Sequence, residues 1–354
     1  MNSQDFLSTN ALAISERYSR QELFAPFGKE GQQKLKNSHV VVIGAGALGT
    51  GIAETLVRSG VGRITIADRD YVEWSNLQRQ QLFSEADAMS RLPKAIAAEN
   101  RLRHINSEVS INAYVMDVGA EELEELITGS DLIMDATDNF DTRLIINDIA
   151  QKHNTPWIYG GCVGSYGITY TILPGETPCL NCLLGEVPLG GDTCDTAGIL
   201  PQAVQMVTAN QTAEAFKLLT GNDEALRRKL LSFDMWRNEY TTIGVDLAKN
   251  PNCLSCGHER TYPYLSAANT DRTDVLCGRD TVQIRPARRR ELNLQETADR
   301  LRALHQGKVD VNPFLVSFQL KAAVRLVIFK DGRALVHGTK DVAEARTIYH
   351  RYFG

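Results

Sequence analysis

The sequence predicts an α/β protein: a doubly wound, Rossmann-like and mostly parallel sheet with a β-rich half, followed by a small C-terminal α+β domain. Three observations support this fold class. The segment VVIGAGALGTG, residues 41–51, joins an apolar strand to a helix through closely spaced glycines. Strand and helix patterns alternate over the first part of the chain, which favours parallel βαβ units. The pattern becomes rich in strands and glycine near residue 157 and changes again near residue 266.

The parallel part is predicted from four buried strands and three helices. Apolar runs with β-branched residues indicate the strands, and apolar positions at helical spacing indicate the helices. The predicted strands are 38–43, 63–67, 109–115 and 131–136, and the predicted helices are 47–58, 91–103 and 120–127. Further along, residues 157–173 are predicted to be β-rich and residues 202–219 to form a long helix.

The last part of the chain predicts a separate α+β domain. TVQI, FLVSF and VRLVIF are predicted strands, and the Asp331-Gly332 pair is typical of a hairpin turn. Helices are predicted at 294–304 and 342–353. We therefore expect one larger domain over residues 1–265 and one smaller domain over residues 266–354.

Composition limits the class of partner. The chain has 354 residues, of which 43% are apolar, and this suffices for a well-buried core. A formal charge of −5 and a pI near 5.9 argue against a nucleic-acid-binding surface. The N-terminal sequence MNSQDFLSTN lacks a basic region followed by an apolar core, and no run of about 18 apolar residues occurs. We therefore expect a cytoplasmic protein without a membrane partner.

The glycine turn GAGALG, residues 44–49, predicts a nucleotide site. Gly44 permits the tight turn, Gly46 lets a phosphate approach the backbone, and Gly49 lets the helix pack closely on the strand. Asp68 ends the second predicted strand, where it can accept a hydrogen bond from a ribose hydroxyl. These features indicate an adenosine nucleotide without deciding which one.

Further polar residues favour a triphosphate. Asn76 and Arg79 lie in the segment SNLQRQ, Lys94 opens a helix, and Asp138 belongs to the segment ATDN after the fourth strand. A dinucleotide carries two phosphates and needs few cations, whereas Arg79 and Lys94 suit ATP and Asp138 suits the Mg²⁺ that screens it. Three alternatives remain: an NAD-dependent oxidoreductase, a non-catalytic nucleotide-binding scaffold, and two cations that are ordinary surface charges.

Four of the seven cysteines form two C-x-x-C pairs. Cys179 and Cys182 form the first pair, and Cys253 and Cys256 form the second. Each pair can supply half of a tetrahedral thiolate site, and four thiolates favour Zn²⁺. The alternatives are two redox pairs or free thiols. A zinc site with four protein ligands has no open position, so we expect it to stabilise the β-rich half of the fold.

The motifs together resemble the ThiF/MoeB adenylyltransferases, which are bacterial relatives of ubiquitin-activating enzymes. The resemblance spans about residues 15–260 and rests on RYSRQ at 17–21, GAGALG, SNLQRQ, Lys94 and ATDN, in that order. It is greatest to family forms with an extra C-terminal domain. It implies ATP-dependent adenylylation of the C-terminal glycine of a ubiquitin-like sulfur carrier, ThiS-like in thiamine thiazole synthesis or MoaD-like in molybdopterin synthesis.

The resemblance also implies a role for each matching residue. Asp68 would bind the ribose and Asp138 the Mg²⁺, while the rest of the ATP would be bound by Gly44, Gly46, Asn76, Arg79 and Lys94. Arg20 would extend into the ATP site of a second subunit, which implies a homodimer. Cys194 stands where family members have a cysteine proposed to link covalently to the carrier, the alternative being an exposed loop thiol without a function. The residues expected to be catalytic are Arg20, Arg79, Lys94, Asp138 and Cys194, and the same four cysteines are expected to bind zinc.

No general base is expected among these residues. A C-terminal carboxylate has a reference pKa of about 3.5 and is already ionised at neutral pH. The expected catalysis therefore depends on aligning the attacking oxygen and on neutralising charge that develops on the phosphate oxygens. His39, just before the first strand, is accordingly interpreted as structural.

Overall fold

The computed structural model describes residues 16–185, 197–266, 273–275, 280–285, 291–321 and 324–353. The chain divides into two compact units. The first unit comprises Met1–Gly190 and Leu200–Leu265, and the second comprises Gly191–Ile199 and Ser266–Gly354. No helix among the described residues is long and apolar enough to cross a membrane.

The first unit is built on an eight-stranded sheet in the order β3-β2-β1-β4-β5-β6-β7-β8. Neighbouring strands from β3 to β5 pair in parallel, and those from β5 to β8 pair antiparallel. This arrangement confirms the predicted fold class. The strands are β1 His39–Ile43, β2 Arg63–Asp68, β3 Ser110–Val115, β4 Leu132–Asp135, β5 Trp157–Val163, β6 Tyr166–Ile172, β7 Leu230–Asp234 and β8 Glu239–Ile243.

Nine α-helices of the described residues accompany this sheet. They are α1 Ser19–Glu22, α2 Gly28–Asn37, α3 Ala47–Arg58, α4 Glu85–Ser90, α5 Lys94–Ile105, α6 Ala120–Ile127, α7 Phe140–His153, α8 Leu180–Leu184 and α9 Pro201–Thr220. The predicted helix over 91–103 is wrong at its start. Arg91 adopts a left-handed conformation with φ 48° and ends α4, and Pro93 forms an isolated bridge with Tyr71. A helix cannot begin until Lys94, because the residue before a proline avoids helical geometry.

The core of the first unit surrounds β1. Val40, Val41 and Val42 are completely buried, since β1 lies between β2 and β4 in the interior of the sheet. Each buried valine of this kind contributes about 1.5–3 kcal/mol relative to an exposed one. Helices α3 and α9 pack so closely that a Cβ atom on Gly51 would lie 2.9 Å from Thr208 Cγ2.

The position of β1 also creates the crevice of the fold. The chain continues to β2 on one side and later to β4 on the other, and ligands of doubly wound sheets bind where this order reverses. Ile43 pairs with Ala67 on β2 and with Asp135 on β4. The residues that follow these strand ends, Gly44, Asp68 and Ala136, therefore lie at the same edge of the sheet.

The second unit contains a six-stranded sheet in the order β11-β12-β13-β14-β10-β9, with every described pairing antiparallel. Helices α10 Leu294–Ala303 and α11 Val342–Tyr352 contribute Ala298 and Ala345 to its apolar core. The predicted turn at Asp331 and Gly332 joins β13 to β14, with Gly332 at φ 87°. The strands are β9 Thr273–Val275, β10 Thr281–Ile284, β11 Lys308–Val311, β12 Leu315–Gln319, β13 Arg325–Phe329 and β14 Ala334–His337.

Candidate active site

The glycine turn lies at the carboxyl end of β1. Gly44 has φ 99°, and a Cβ there would lie 2.5 Å from the carbonyl oxygen of Ala136. A Cβ on Gly49 would lie 1.9 Å from the carbonyl oxygen of Gly44. At Gly46 the nearest atom would be Gln80 Nε2, 3.9 Å away. The first and third glycines are therefore required by close packing, while the second leaves open space in front of the N-terminus of α3.

Asp68 holds this turn in place. Its Oδ2 accepts a hydrogen bond from the Ala45 N–H at 2.6 Å, and its Oδ1 accepts one from the Asp70 N–H at 2.7 Å. Burial, together with the nearby Asp70, raises the pKa of Asp68, although the Lys94 cation opposes the shift. Each carboxylate oxygen can accept a second hydrogen bond, so Asp68 can still bind a ribose hydroxyl while supporting the turn.

Lys94 is a buried cation beside the turn. It is the first residue of α5 and only 4% exposed, and its Nζ lies 3.1 Å from Asp70 Oδ2. Its backbone N–H donates to the carbonyl oxygen of Asp70 at 2.9 Å. Lysine is seldom buried unless it is paired, and here one carboxylate at the edge of the sheet balances its charge.

The segment SNLQRQ carries buried polar atoms that lack a partner among the described residues. Asn76 is completely buried, and its Oδ1 accepts a hydrogen bond from the Glu73 N–H at 3.0 Å. Asn76 Nδ2 and Gln80 Oε1 have no hydrogen-bond partner within the described part of the chain. A buried amide without a partner costs about 1–3 kcal/mol, and a phosphate oxygen would satisfy Asn76 Nδ2. Half-buried Arg79 donates from Nη1 to the Ser75 carbonyl at 2.8 Å.

Asp138 lies in the loop after β4, with its side chain 81% exposed. The nearest cation is Arg69, whose Nη2 lies 3.9 Å from Asp138 Oδ1 and whose Nη1 lies 3.5 Å from Asp117 Oδ1. Burial alone would lower the pKa of Arg69, but the carboxylates around it, Asp117 first, raise it above its ordinary value. An exposed carboxylate at this edge can take an oxygen-preferring cation such as Mg²⁺.

A buried ion pair beneath this loop was missed from the sequence. Arg143 Nε donates to Asp135 Oδ2 at 2.9 Å, and Arg143 Nη2 donates to the carbonyl oxygens of Thr137 at 2.7 Å and Gly160 at 2.9 Å. Asp135 Oδ1 accepts from the N–H and the Oγ1 of Thr137. An arginine directly before the apolar run LII was the available signal, because such a charge needs a partner when it is buried.

The four cysteines of the two C-x-x-C pairs form one buried cluster, with all Sγ atoms within 4.8 Å of one another. Cys179 Sγ lies 3.9 Å from Cys182 Sγ and 3.7 Å from Cys253 Sγ, and Cys182 Sγ lies 3.5 Å from Cys256 Sγ. Four thiolates at a Zn–S distance of about 2.3 Å would be separated by about 3.8 Å in a tetrahedron. The cluster is therefore compatible with zinc.

Close contacts hold the two C-x-x-C segments in place. Helix α8 carries Cys182, and the N–H of Asn250 donates to Cys182 Sγ at 3.5 Å. A Cβ on Gly257 would lie 2.3 Å from the carbonyl oxygen of Pro251, so only glycine fits this turn. Asn181 Nδ2 approaches Cys253 Sγ at 3.8 Å. Such N–H groups favour the thiolate form that a metal requires.

Comparison with known proteins assigns the chain. The model of the ThiF family matches residues 18–255. The chain belongs to the ThiF family. It is 54% identical over 341 residues to a sulfur carrier protein ThiS adenylyltransferase of Bacillus subtilis, covering 96% of this chain and all of that protein. It is 34% identical to the molybdopterin-synthase adenylyltransferase of Escherichia coli, over 68% of this chain and 96% of that protein.

A solved structure agrees with the ThiF assignment at the level of the fold. Escherichia coli MccB with ATP superposes with a TM-score of 0.59, at 23% identity, over 73% of this chain and 82% of that one. The predicted family is thus confirmed. Nothing in these comparisons supports the NAD-dependent oxidoreductase that the glycine turn alone left open.

The remaining predicted site residues of this ThiF protein lie elsewhere. Arg20 is exposed on α1, and its neighbour Gln21 donates from Nε2 to the carbonyl of Ser59 at 3.0 Å. Ser59 follows α3, whose 12 residues rise about 18 Å from the glycine turn, so the structure does not bring Arg20 to the turn of its own chain. Cys194 lies outside the described residues.

Proposed function

We propose that this protein is a cytoplasmic adenylyltransferase that uses ATP to activate the C-terminal glycine of a ThiS-type sulfur carrier. The observation that carries the proposal is the edge of the parallel sheet. At that edge lie the open space at Gly46, the buried cation Lys94 and the exposed carboxylate Asp138, and the Asn76 side chain after β2 has an Nδ2 without a partner among the described residues. The ThiS adenylyltransferase relative, similar over its full length, supports the same reaction.

In the proposed reaction the carrier carboxylate attacks the α-phosphorus of ATP. A bond forms between a carboxylate oxygen and the α-phosphorus. The bond between the α-phosphorus and the oxygen that bridges to the β-phosphorus breaks, and pyrophosphate leaves. Lys94, Arg79 and Asn76 donate hydrogen bonds to phosphate oxygens and so stabilise charge where it develops. Mg²⁺, when bound at Asp138, neutralises part of the phosphate charge. Asp68 binds the glycine turn and the ribose at the same time and so fixes their relative position.

Zinc is proposed as a structural ion. The distances among Cys179, Cys182, Cys253 and Cys256 and their burial support a site without an open position. Reduced thiols bound to metal are also typical of the cytoplasm, where disulfide frameworks are rare. The ion would join two segments that are far apart in the chain and so contribute to folding.

We propose that Arg20 acts in the active site of a second subunit. The segment that carries it is fixed at the far end of α3 by Gln21 and by Tyr18, whose hydroxyl accepts a hydrogen bond from Asn106 Nδ2 at 2.8 Å. Arg20 is exposed there and can project away from its own chain. In a homodimer it would stabilise transition-state charge as an arginine finger does.

The test is pyrophosphate exchange into ATP with purified carriers that end in Gly-Gly. We expect exchange that requires Mg²⁺ and a ThiS-type carrier, with a smaller rate for a MoaD-type carrier, because the ThiS adenylyltransferase relative is similar over almost the whole chain. A ThiS-type carrier without its last glycine is the control and should give no exchange. Exchange with neither carrier would refute the proposal, and a faster rate with the MoaD-type carrier would reassign the substrate.

Cys194 stays a prediction as a covalent link to the activated carrier. The Cys194 thiolate would attack the carbonyl of the acyl-adenylate and displace AMP, so the expected product is a thioester that a mass spectrum of the reaction detects. Cys194→Ser should then still support pyrophosphate exchange, since the carboxylate is adenylylated before any thiolate attacks it. Loss of exchange in that variant would contradict this order of steps.

A further inference from the structure

Hydrogen bonds and two aromatic rings together hold the guanidinium of Arg143. The side chain lies in the first turns of α7 and is 8% exposed. Besides its three hydrogen bonds, it lies 5.2 Å from the ring centroid of Phe140 and 5.0 Å from that of Tyr159. These rings cover the cation, so its orientation is fixed by packing as well as by hydrogen bonds.

The electrostatics keep this group charged. Burial alone would lower the pKa of Arg143, but the carboxylate of Asp135 raises it above its ordinary value. Asp135 is itself completely buried at the end of β4. The two residues therefore form a neutral pair, and removing one of them would leave the other charge buried without compensation.

The pair fixes the two peptide groups on either side of the Thr137 Cα. Arg143 Nη2 binds the carbonyl oxygen of Thr137, while Asp135 Oδ1 accepts from the N–H of Thr137 at 2.9 Å and from its hydroxyl at 2.7 Å. The carbonyl of Thr137 belongs to the peptide bond that leads into Asp138. The Asp138 side chain reaches into solvent, and its nearest cation, Arg69, is 3.9 Å away.

We propose that Arg143 is a positioning residue. By binding the Thr137 carbonyl, it fixes the position and orientation of the backbone that carries Asp138. The proposal rests on the function proposed above, because it takes Asp138 as the carboxylate that holds Mg²⁺. The Nε and Nη2 of Arg143 are directed at protein acceptors, so these two nitrogens hold the loop and are not available to a phosphate. Gln211 on α9 completes the support by donating to the carbonyl oxygen of Asp135 at 2.9 Å.

The test compares two buried arginines that are changed in the same way. Arg143→Lys keeps the charge opposite Asp135 but loses the planar fork that reaches Thr137 and Gly160. Arg333→Lys is the matched control. Arg333 is 3% exposed, pairs with Asp331 at 2.7 Å and covers the ring of Phe329, but belongs to the other compact unit. Asp135→Asn provides a second route to release the same loop.

The decisive measurement is Mn²⁺ binding, followed by electron paramagnetic resonance, to full-length protein with a non-hydrolysable ATP analogue. We expect the Mn²⁺ dissociation constant to rise about 10- to 100-fold in Arg143→Lys and in Asp135→Asn, as for other residues that orient a metal ligand. Arg333→Lys should leave it unchanged. The melting temperature and zinc content of Arg143→Lys should stay close to those of Arg333→Lys.

Other outcomes would overturn the proposal. An unchanged Mn²⁺ constant in either folded variant, or an equal change in Arg333→Lys, would show that Arg143 does not position Asp138. Weaker binding of the analogue without metal would instead make Arg143 a phosphate ligand. Failure of both Arg143→Lys and Asp135→Asn to fold would assign the pair to the core alone. The binding assay needs no carrier, so a failed exchange reaction would leave this result intact.

Discussion

The sheet edge at the glycine turn and the cysteine cluster of the first unit differ in how many of their polar groups have partners. At the edge, Asn76 Nδ2 lacks a partner within the described residues and Asp138 faces solvent. In the cluster, four buried sulfur atoms face one another, and the Asn250 N–H and the Asn181 side-chain amide are directed at two of them. The first region has contacts left for a ligand that comes and goes, whereas the second can hold an ion permanently. The proposed functions therefore assign turnover to the first region and stability to the second.

The largest expected effect comes from removing the exposed carboxylate at the sheet edge. Asp138→Ala should reduce pyrophosphate exchange by about 10³-fold, because the carboxylate proposed to hold Mg²⁺ is lost. Its melting temperature should not change, since the side chain is exposed. The matched control is Asp141→Ala, an exposed carboxylate three positions further along α7. Equal losses in both variants would show that general charge, and not this position, matters.

The second prediction concerns an active site that is shared between two subunits. Arg20→Ala and Asp138→Ala, each nearly inactive, should regain activity when the subunits are mixed. Random pairing makes half of the dimers mixed, and each mixed dimer has one site without a lesion, so about a quarter of wild-type exchange should return. Mixed dimers that form without regaining activity would show that Arg20 acts in its own chain or not at all.

The third prediction concerns the cysteine cluster. Cys182→Ser should lose zinc, as measured by atomic absorption, and should lower the free energy of unfolding by on the order of 3–5 kcal/mol. Cys162→Ser is the control, because Cys162 lies on β5 outside the cluster. Full zinc content in Cys182→Ser would contradict the assignment. Exchange by the folded fraction of the variant should stay near the wild-type rate.

The fourth prediction separates two glycines within one turn. Gly44→Ala should destabilise the protein by about 1–3 kcal/mol from its positive φ alone, and the close carbonyl of Ala136 adds to this. Gly46→Ala should leave stability unchanged but raise the KM for ATP, because the added methyl group fills open space where phosphate approaches. A stability loss in Gly46→Ala equal to that of Gly44→Ala would show that this opening is structural.

The smallest expected effect is a pH dependence at the opposite end of β1. Burial lowers the pKa of His39, whose ring nitrogens lie 2.9 Å from Thr65 Oγ1 and 3.2 Å from the Gly129 carbonyl. The unfolded chain then binds a proton more readily than the folded one, so stability falls as pH drops below about 6.5. His39→Gln should weaken this dependence in urea titrations, whereas His104→Gln, at an exposed position on α5, should not.

Local sequence signals predicted the parallel half of the fold well. Helices α3 and α6 have the predicted bounds, because the glycine turn starts one and Gly119 precedes the other. The predicted strands differ by no more than one residue at each end from β1 to β4. Apolar spacing and turn glycines suffice for these elements, since both are local features of the sequence.

Elements with buried polar residues were harder to predict. Helix α7 was missed because Asn147, Asp148 and Gln151 interrupt its apolar spacing, although all three are buried. Asn147 Oδ1 accepts from the Leu180 N–H, and Asp148 Oδ2 accepts from the Tyr264 N–H. Their partners are distant in sequence, so no local pattern could predict them. The role of Arg143 was hidden for the same reason.

The spacing of the cysteines has a consequence during synthesis of the chain. Cys179 is 74 positions before Cys253, and Cys182 is 74 positions before Cys256. At a rate of about 5–20 residues per second, a ribosome needs roughly 4–15 s to make that interval. For this time the first two thiols exist without the second pair. The four-sulfur cluster can therefore form only after the second pair has been made, near the end of the synthesis of the first unit.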